Sequence, residues 1–455
     1  MLRKNDLIEF NIDRVAFPDK GEGEYEGQKV KVKGGIEGQK VEAKVSKKRK
    51  GHIEAKITNV LEKSPLETEI GCPHFGACGG CAYQTLTYEN ELKLKEKQIL
   101  DLFNKEGLDI NYLGIEESPM AQGYRNKMKY TFGDEEKDGP LALGLHSKGK
   151  FYEIVNVQHC NIVDTDFTNI LTIILEYFRK LNMPHYKKKT HEGFLRHLVV
   201  RKALSTGEIL INIVTSSQGQ LDREDFVSNI IEKSDVLIGK IVGILHTTND
   251  NLSDAVRTDK LETLYGRDYI VEEILGLKFN ISPFSFFQTN TLGAEKLYSI
   301  VREFAGDVDD KIIFDLYSGI GTIAQIMAPM AKKVIGIEIV EEAINNAREN
   351  AKLNNLNNVE FIGGDVLKVI DELEDKPDLI IIDPPREGIQ PKAIRKIIDF
   401  NPVEFIYVSC NPVTLVRDLK VFVEGGYKID KVKCVDQFPR TVHVECIALI
   451  QREIS

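Results

Sequence analysis

The chain is predicted to be an α/β protein: a C-terminal Rossmann-like, doubly wound sheet, preceded by a small OB-like β-barrel and an α+β middle region. Three observations predict it. Past Gln288 short apolar runs alternate with helical stretches, with strands expected at 312–316, 333–339, 359–365, 378–383 and 404–410 and a closing pair near 427–436 and 444–450. Before about residue 62, lysines and valines alternate in short glycine-separated runs, as in Gln28-Lys29-Val30-Lys31-Val32-Lys33, which is the pattern of a small barrel. Between about 140 and 280 the alternation is β-rich with two helical intervals. A length of 455 residues accommodates about three domains, and the boundaries are placed at 1–62, 63–283 and 284–455.

Residues 1–60 hold 14 Lys/Arg against 10 Asp/Glu, although the whole chain carries a net charge of −10. An acidic chain does not bind nucleic acid indiscriminately, so any RNA contact has to come from local basic surfaces such as this one. Lys47-Lys48-Arg49-Lys50 is expected in a turn between strands, either as a solvated charge run or as part of an RNA-binding face. No apolar run approaches the ~18 residues of a membrane helix, and MLRKNDLIEF lacks the apolar core of a signal peptide. A cytoplasmic location without membrane contact is expected, and no obligate protein partner is implied.

Three of the seven cysteines, Cys72, Cys78 and Cys81, fall within ten residues among glycines that let the backbone wrap, and Cys160 is the plausible fourth ligand of one centre. Four thiolates suit either zinc or an iron–sulfur cluster. His74 and His159 lie nearby and are read as bystanders. Tyr88 to Phe103 has helical spacing and reads as a packing helix. Gly123 to Tyr130 alternates basic and aromatic residues, which on a strand would give one face of cations and rings. A second basic stretch runs from His185 to Lys202 and includes Lys187, Lys188, Lys189, Arg196, His197 and Arg201.

The first C-terminal strand leads into Asp315-Leu316-Tyr317-Ser318-Gly319-Ile320-Gly321-Thr322, and the second ends at Glu338. Glycines after a strand allow a tight turn against a ligand, and a carboxylate ending the next strand can accept both hydroxyls of a ribose. The loop formally matches a dinucleotide-binding fingerprint. Asp315, Asp365 and Asp383-Pro384-Pro385 look more like a methyltransferase that takes S-adenosylmethionine, a nucleoside without a pyrophosphate. The fourth strand ends in Asp383-Pro384-Pro385-Arg386 and the fifth delivers Cys410. The prolines remove backbone donors and hold the chain extended, suiting the corner to grip a planar group by its polar edge. A cysteine beside it suggests covalent chemistry on that group. Cys434 and Cys446 read as packing residues.

Taken in order, the four cysteines, Phe286-Phe287-Gln288, the Asp315 to Gly321 loop, Asp383-Pro384-Pro385-Arg386, Ser409-Cys410-Asn411-Pro412 and His443-Val444-Glu445 resemble the RNA 5-methyluridine methyltransferase family over nearly the whole chain. The resemblance implies an N-terminal TRAM barrel, a central domain with a [4Fe-4S] cluster on Cys72, Cys78, Cys81 and Cys160, and a methyltransferase domain. It further implies that Gln288, Tyr317, Glu338 and Asp383 contact S-adenosylmethionine, that Cys410 is the nucleophile and Glu445 the base, and that Phe286 packs against RNA bases. Arg440 and Thr322 stand where some members carry histidine and asparagine. The expected substrate is RNA, with 23S ribosomal RNA favoured over transfer RNA by the barrel and the cysteine set. An adenine N6-methyltransferase could use an Asp-Pro-Pro corner but needs no cysteine. RNA cytosine-C5 enzymes resemble a pattern with cysteine directly after the second proline, where this chain has Arg386. A non-enzymatic RNA-binding protein is the remaining alternative.

Overall fold

The computed structural model describes residues 2–150, 152–252, 259–369 and 372–453. The chain forms two compact units. One comprises Met1–Gly71, Cys81–Ser118 and Pro384–Ser455, the other Cys72–Gly80 and Pro119–Asp383.

In the first unit, a six-stranded, barrel-like sheet runs in the order Leu7–Asn11, Lys40–Arg49, His52–Glu62, Gln28–Lys33, Lys20–Tyr25, Arg14–Ala16. Alternation points Ile8, Phe10, Val30, Val32, Val41, Ala43 and Val45 inward, with Tyr83, Leu86 and Leu94 packed on the same core. Of the lysine run, only Lys50 lies in the expected turn. Lys47, Lys48 and Arg49 continue the strand, because its partner supplies Glu54, Ile53 and His52 opposite them and Arg49 pairs with Glu54 at 3.1 Å. A second set of strands, Glu404–Ser409, Glu445–Arg452, Tyr427–Val435 and Tyr112–Glu116, is flanked by the helices Tyr88–Glu106 and Pro412–Glu424. Thr87 caps the first of these by accepting a hydrogen bond from the Asn90 amide, and Asn411 caps the second through the Val413 amide.

The second unit opens with a seven-stranded sheet in the order Ile154–Asn156, Leu141–His146, Lys127–Asp134, Leu195–Lys202, Glu208–Thr215, Lys240–Thr248, Lys260–Gly266. Thr165–Lys180 and Arg223–Glu232 are its two expected helical intervals. A hairpin, Ile270–Ile274 with Leu277–Ile281, precedes a parallel sheet in the order Val359–Gly363, Lys333–Glu338, Ile312–Leu316, Leu379–Ile382. Those four strands match the expected positions within two residues, and the three inner ones are mostly apolar and buried, as strands covered on both faces must be, whereas the edge strand Val359–Gly363 buries only Phe361.

The two basic stretches are only partly surface. Gly123–Asn126 lies before the strand Lys127–Asp134, and Tyr124 and Tyr130 turn into the core while Lys129 is exposed. Rings and cations therefore occupy opposite faces, because a period of two that buries one residue type exposes the other. Likewise Arg196, His197 and Arg201 are buried, and the open part of the stretch is the turn from Lys187 to Glu192. No described helix is long and apolar enough to cross a membrane.

Candidate active site

Two constellations emerge, one in each unit. In the unit holding Pro119–Asp383, the strand Ile312–Leu316 ends in a turn with Tyr317 at φ 65°, Gly319 at φ 54° and Gly321 at φ 75°. Gly321 is required twice over: its φ is left-handed, and a Cβ there would meet the Phe361 ring at 2.4 Å. The Glu338 carboxylate, at the end of the next strand, ties the turn down by accepting hydrogen bonds from the amides of Gly319 (3.0 Å), Ile339 (2.9 Å) and Val340 (2.9 Å). Asp315 is buried and accepts from the Ala324 amide at 2.9 Å, leaving its other oxygen without a partner among the described residues. Burial, and secondarily the charge of Asp383, pushes the Asp315 carboxyl well above the ordinary range. Burial raises Asp383 to about 7, so near neutrality it exists both as an acid that can donate a hydrogen bond and as an acceptor. The Asp383 carboxyl has no hydrogen-bond partner among the described residues.

The segment bearing Gln288 belongs to the same unit. Asn126 donates to the Gln288 carbonyl (3.3 Å) and to Thr291 Oγ1 (2.9 Å), and Asn290 caps the helix Thr291–Ala305. Phe287 is buried against Phe279, whereas Phe286 is 71% exposed. A large apolar side chain held out on an ordered loop suits stacking on a planar ligand.

In the other unit, the strand Glu404–Ser409 pairs antiparallel with Glu445–Arg452, setting Val408 opposite Ile447 and Ser409 opposite Cys446. The ladder stops there, so Cys410, the residue after one strand, and Glu445, the first residue of the other, lie at the same end of it although 35 positions apart in sequence. Glu445 is buried and Cys410 half-buried. Beneath them the Cys434 thiol donates to Cys446 at 3.0 Å. This bond, then burial, then the neighbouring Glu445 and Cys410, pushes the Cys446 thiol far up, which keeps it an inert thiol as expected of a packing residue. Arg386 reaches His443 Nδ1 at 3.3 Å, and its carbonyl accepts from Asn411 at 3.0 Å.

The loop leading to Glu445 hangs on buried ions that sequence reasoning missed. Lys95, fully enclosed, donates to Glu91 and Asp436 at 2.8 Å each and to the Phe438 carbonyl at 3.4 Å. Burial would lower the Lys95 ammonium, but Asp436 and Glu91 outweigh it and raise its pKa. Glu91 also accepts from the Arg440 amide at 2.6 Å, and the Arg440 carbonyl accepts from the amides of Ala82 and Tyr83. Arg440, at φ 69°, is thus a half-buried anchor of the loop. Thr322 is buried as the first residue of the helix Thr322–Met327.

Of the cysteine set, Cys72, Cys78 and Cys160 lie in one unit and Cys81 in the other. Cys160 is pushed up to about 11, chiefly by burial, with Cys72 and Cys78 close enough to add to it. The Gly80 amide donates to Cys78 Sγ at 3.4 Å, and Gln84 donates to Cys81 Sγ at 3.5 Å. Amide–sulfur bonds of this kind suit thiolate ligands, and the donors fit a soft metal centre chemically. Among the described residues, no three His, Cys, Asp or Glu side chains stand close enough to hold a metal ion.

A family model described as tRNA (Uracil-5-)-methyltransferase matches residues 245–453. A relative from Caldanaerobacter subterraneus subsp. tengcongensis, described as an uncharacterized RNA methyltransferase, is 54% identical over 99% of this chain and 100% of its own. The chain belongs to the tRNA (uracil-5-)-methyltransferase family. A second uncharacterized RNA methyltransferase, from Clostridium tetani, is 55% identical over 99% of both chains. The crystal structure of Pyrococcus abyssi tRNA (uracil-54, C5)-methyltransferase, in complex with S-adenosyl-L-homocysteine, superposes with a TM-score of 0.75 at 27% identity, covering 97% of this chain and 100% of that one. This methyltransferase is therefore an S-adenosylmethionine-dependent RNA-modifying enzyme, and the α/β fold expected from its sequence is the fold it has. Gln288, Tyr317, Glu338 and Asp383 all fall in one unit of the methyltransferase, and Cys410 and Glu445 in the other.

Proposed function

We propose that the enzyme transfers the methyl group of S-adenosylmethionine to C5 of a uridine in RNA through a covalent adduct on Cys410. The placement of Cys410 and Glu445 at the same end of one antiparallel ladder supports this reading. Uracil C5 is a poor nucleophile. Addition of the Cys410 thiolate to C6 forms the S–C6 bond and moves the C5–C6 π electrons into an enolate, which makes C5 reactive. S-adenosylmethionine supplies an electrophilic methyl group and leaves as S-adenosylhomocysteine. Glu445 then takes the C5 proton, the C5–C6 double bond re-forms, and the S–C6 bond breaks to return the thiolate. The target base has to leave its stack for these events, and Phe286 is the ring on which it or a neighbour would stack.

Gln288, Tyr317, Glu338 and Asp383 would hold the methyl donor, with Glu338 on the ribose. Its three backbone hydrogen bonds leave room among about four lone-pair positions for a hydroxyl. The domains are read as 1–62 for a TRAM-type barrel, 63–283 for a central domain and 284–455 for the methyltransferase domain, in a cytoplasmic enzyme. Cys72, Cys78, Cys81 and Cys160 would ligate a [4Fe-4S] cluster, with zinc as the alternative, in a structural or RNA-positioning role. Anaerobically purified protein should contain iron and sulfide that Cys78→Ser loses, and stoichiometric zinc without iron would overturn the cluster.

The favoured substrate is 23S ribosomal RNA. Transfer RNA is the second reading, because the Pyrococcus abyssi neighbour is a tRNA (uracil-54, C5)-methyltransferase. Mass spectrometry of both RNAs from a deletion strain tests function and substrate together: loss of one 5-methyluridine identifies the target, and loss of none from either overturns the reading.

A further inference from the structure

The strands Lys127–Asp134 and Leu195–Lys202 pair antiparallel with Lys127 directly opposite Arg201. Like charges facing each other across a ladder are destabilising, and among the described residues neither pairs with a carboxylate. Arg201, 2% exposed, donates only to carbonyls, those of Pro283 and Ser285. Arg125 donates its Nε to the Lys127 carbonyl at 3.2 Å. The Lys127 ammonium, on a half-buried residue, has no hydrogen-bond or ion-pair partner among the described residues. Nearby acids are engaged elsewhere. Asp164 and Asp166 hold Lys202 at 2.5 and 2.7 Å, and Glu272 accepts from the amides of Leu204 and Ser205 and from the Thr291 hydroxyl.

A lysine, half-buried with two guanidinium groups and without a carboxylate, is stable only at a cost that an incoming anion would reverse. Its position defines the anion. Arg201 grips the carbonyls of the loop that presents Phe286, and Asn126, adjacent to Lys127, holds the Gln288 carbonyl. We propose that Lys127, with Arg125 beside it and Arg201 beneath, is a binding site for a backbone phosphate of single-stranded RNA whose base reaches the Phe286 loop. The inference rests on the reading of the enzyme as an RNA uridine methyltransferase and adds the group that positions the strand.

Burial, then Arg201, Arg125 and Lys129, lowers the Lys127 ammonium to about 7. These cations are the charged groups that act on it from its own strand and from the neighbouring one. The leading strand Leu141–His146 pairs only from Thr131 onward and does not reach it. A phosphate would hold the proton on, so RNA binding should take up a proton as pH rises past 7.

The test measures uridine hexanucleotide binding to the full chain by fluorescence anisotropy from pH 6 to 9 and across salt. Wild type should lose affinity as pH rises through 7 to 8. Lys127→Met should bind about 10-fold more weakly with a salt slope lower by about 1. Lys127→Arg should keep the affinity and lose the pH dependence. Because an uncompensated cation is removed, Lys127→Met should also raise Tm, whereas a purely structural lysine would lower it. Affinity for S-adenosylhomocysteine should not change. Unchanged hexanucleotide affinity and salt slope in Lys127→Met, or no binding by wild type at low salt, overturns the phosphate site. A loss confined to S-adenosylhomocysteine also overturns it and assigns the cations to that ligand's carboxylate. None of these outcomes bears on the methyltransferase reading, which stands or falls on 5-methyluridine in the deletion strain.

Discussion

The glycine loop after Ile312–Leu316 and the Cys410–Glu445 pair are both proposed parts of one reaction, yet they are built in opposite ways. The loop is local: strand, turn and capping carboxylate lie within 24 positions, from Asp315 to Glu338, and three backbone amides fix Glu338 without help from distant chain. The pair is assembled at long range. Strand pairing brings Cys410 and Glu445 to the same end of one ladder, and the loop before Glu445 is held by Lys95, 341 positions from its partner Asp436. A locally encoded site tolerates change elsewhere in the chain, whereas one hung on a buried ion network fails when any member is removed.

Variants at the two places should separate these behaviours. The largest effect is expected from Lys95→Ala, which leaves Asp436 a buried carboxylate without its ammonium and Glu91 with Arg440 alone, and should cost about 3–5 kcal/mol of stability, measured by urea denaturation. A loss under 1 kcal/mol would mean that Glu91 and Asp436 neutralise by taking up protons and that the network does not hold the loop. Next comes Gly321→Ala, whose Cβ collides with Phe361 at a left-handed φ. It should cost about 1–3 kcal/mol and weaken S-adenosylhomocysteine binding in calorimetry. Smaller still is Glu338→Ala, expected to lower that affinity by about 10-fold through loss of a charge-assisted hydrogen bond, with hexanucleotide binding unchanged. Equal nucleoside affinity would remove Glu338 from the ribose.

The last effect is a pH slope. Asp383 titrates near 7 in the fold against 3.8 for the free side chain, so between those values the folded protein binds a proton that the unfolded chain has released. Its contribution to stability is present at low pH and is lost as pH rises through 7. Tm should fall from pH 4 to 8, and Asp383→Asn, which cannot titrate, should flatten the decline. Asp315, raised in the same direction, should leave a residual slope.

The same contrast explains what the sequence disclosed. The four parallel strands, the glycine turn and Glu338 were legible because each is a short motif with its own periodicity and chemistry. Cys410 and Glu445 were legible as residues, through family resemblance, but their placement at one ladder end was not, since register is a property of two segments. Lys95 sits in a helix whose charged pattern looks solvent-facing, and no periodicity distinguishes an enclosed lysine with two carboxylates from a surface one. Tyr130 was expected on one face with the cations because the spacing is that of a strand, but spacing does not reveal which face the core takes.

The account turns on Cys410 opening the reaction and Glu445 closing it, and the decisive measurement follows labelled methyl groups into denaturation-resistant protein–RNA species. With Glu445→Gln, attack and methyl transfer should proceed, but the amide cannot accept the C5 proton, so a covalent adduct carrying the labelled methyl group should accumulate. Cys410→Ala should form none and methylate nothing. Full turnover by Cys410→Ala, or an inactive Glu445→Gln that forms no adduct, would contradict the assignment.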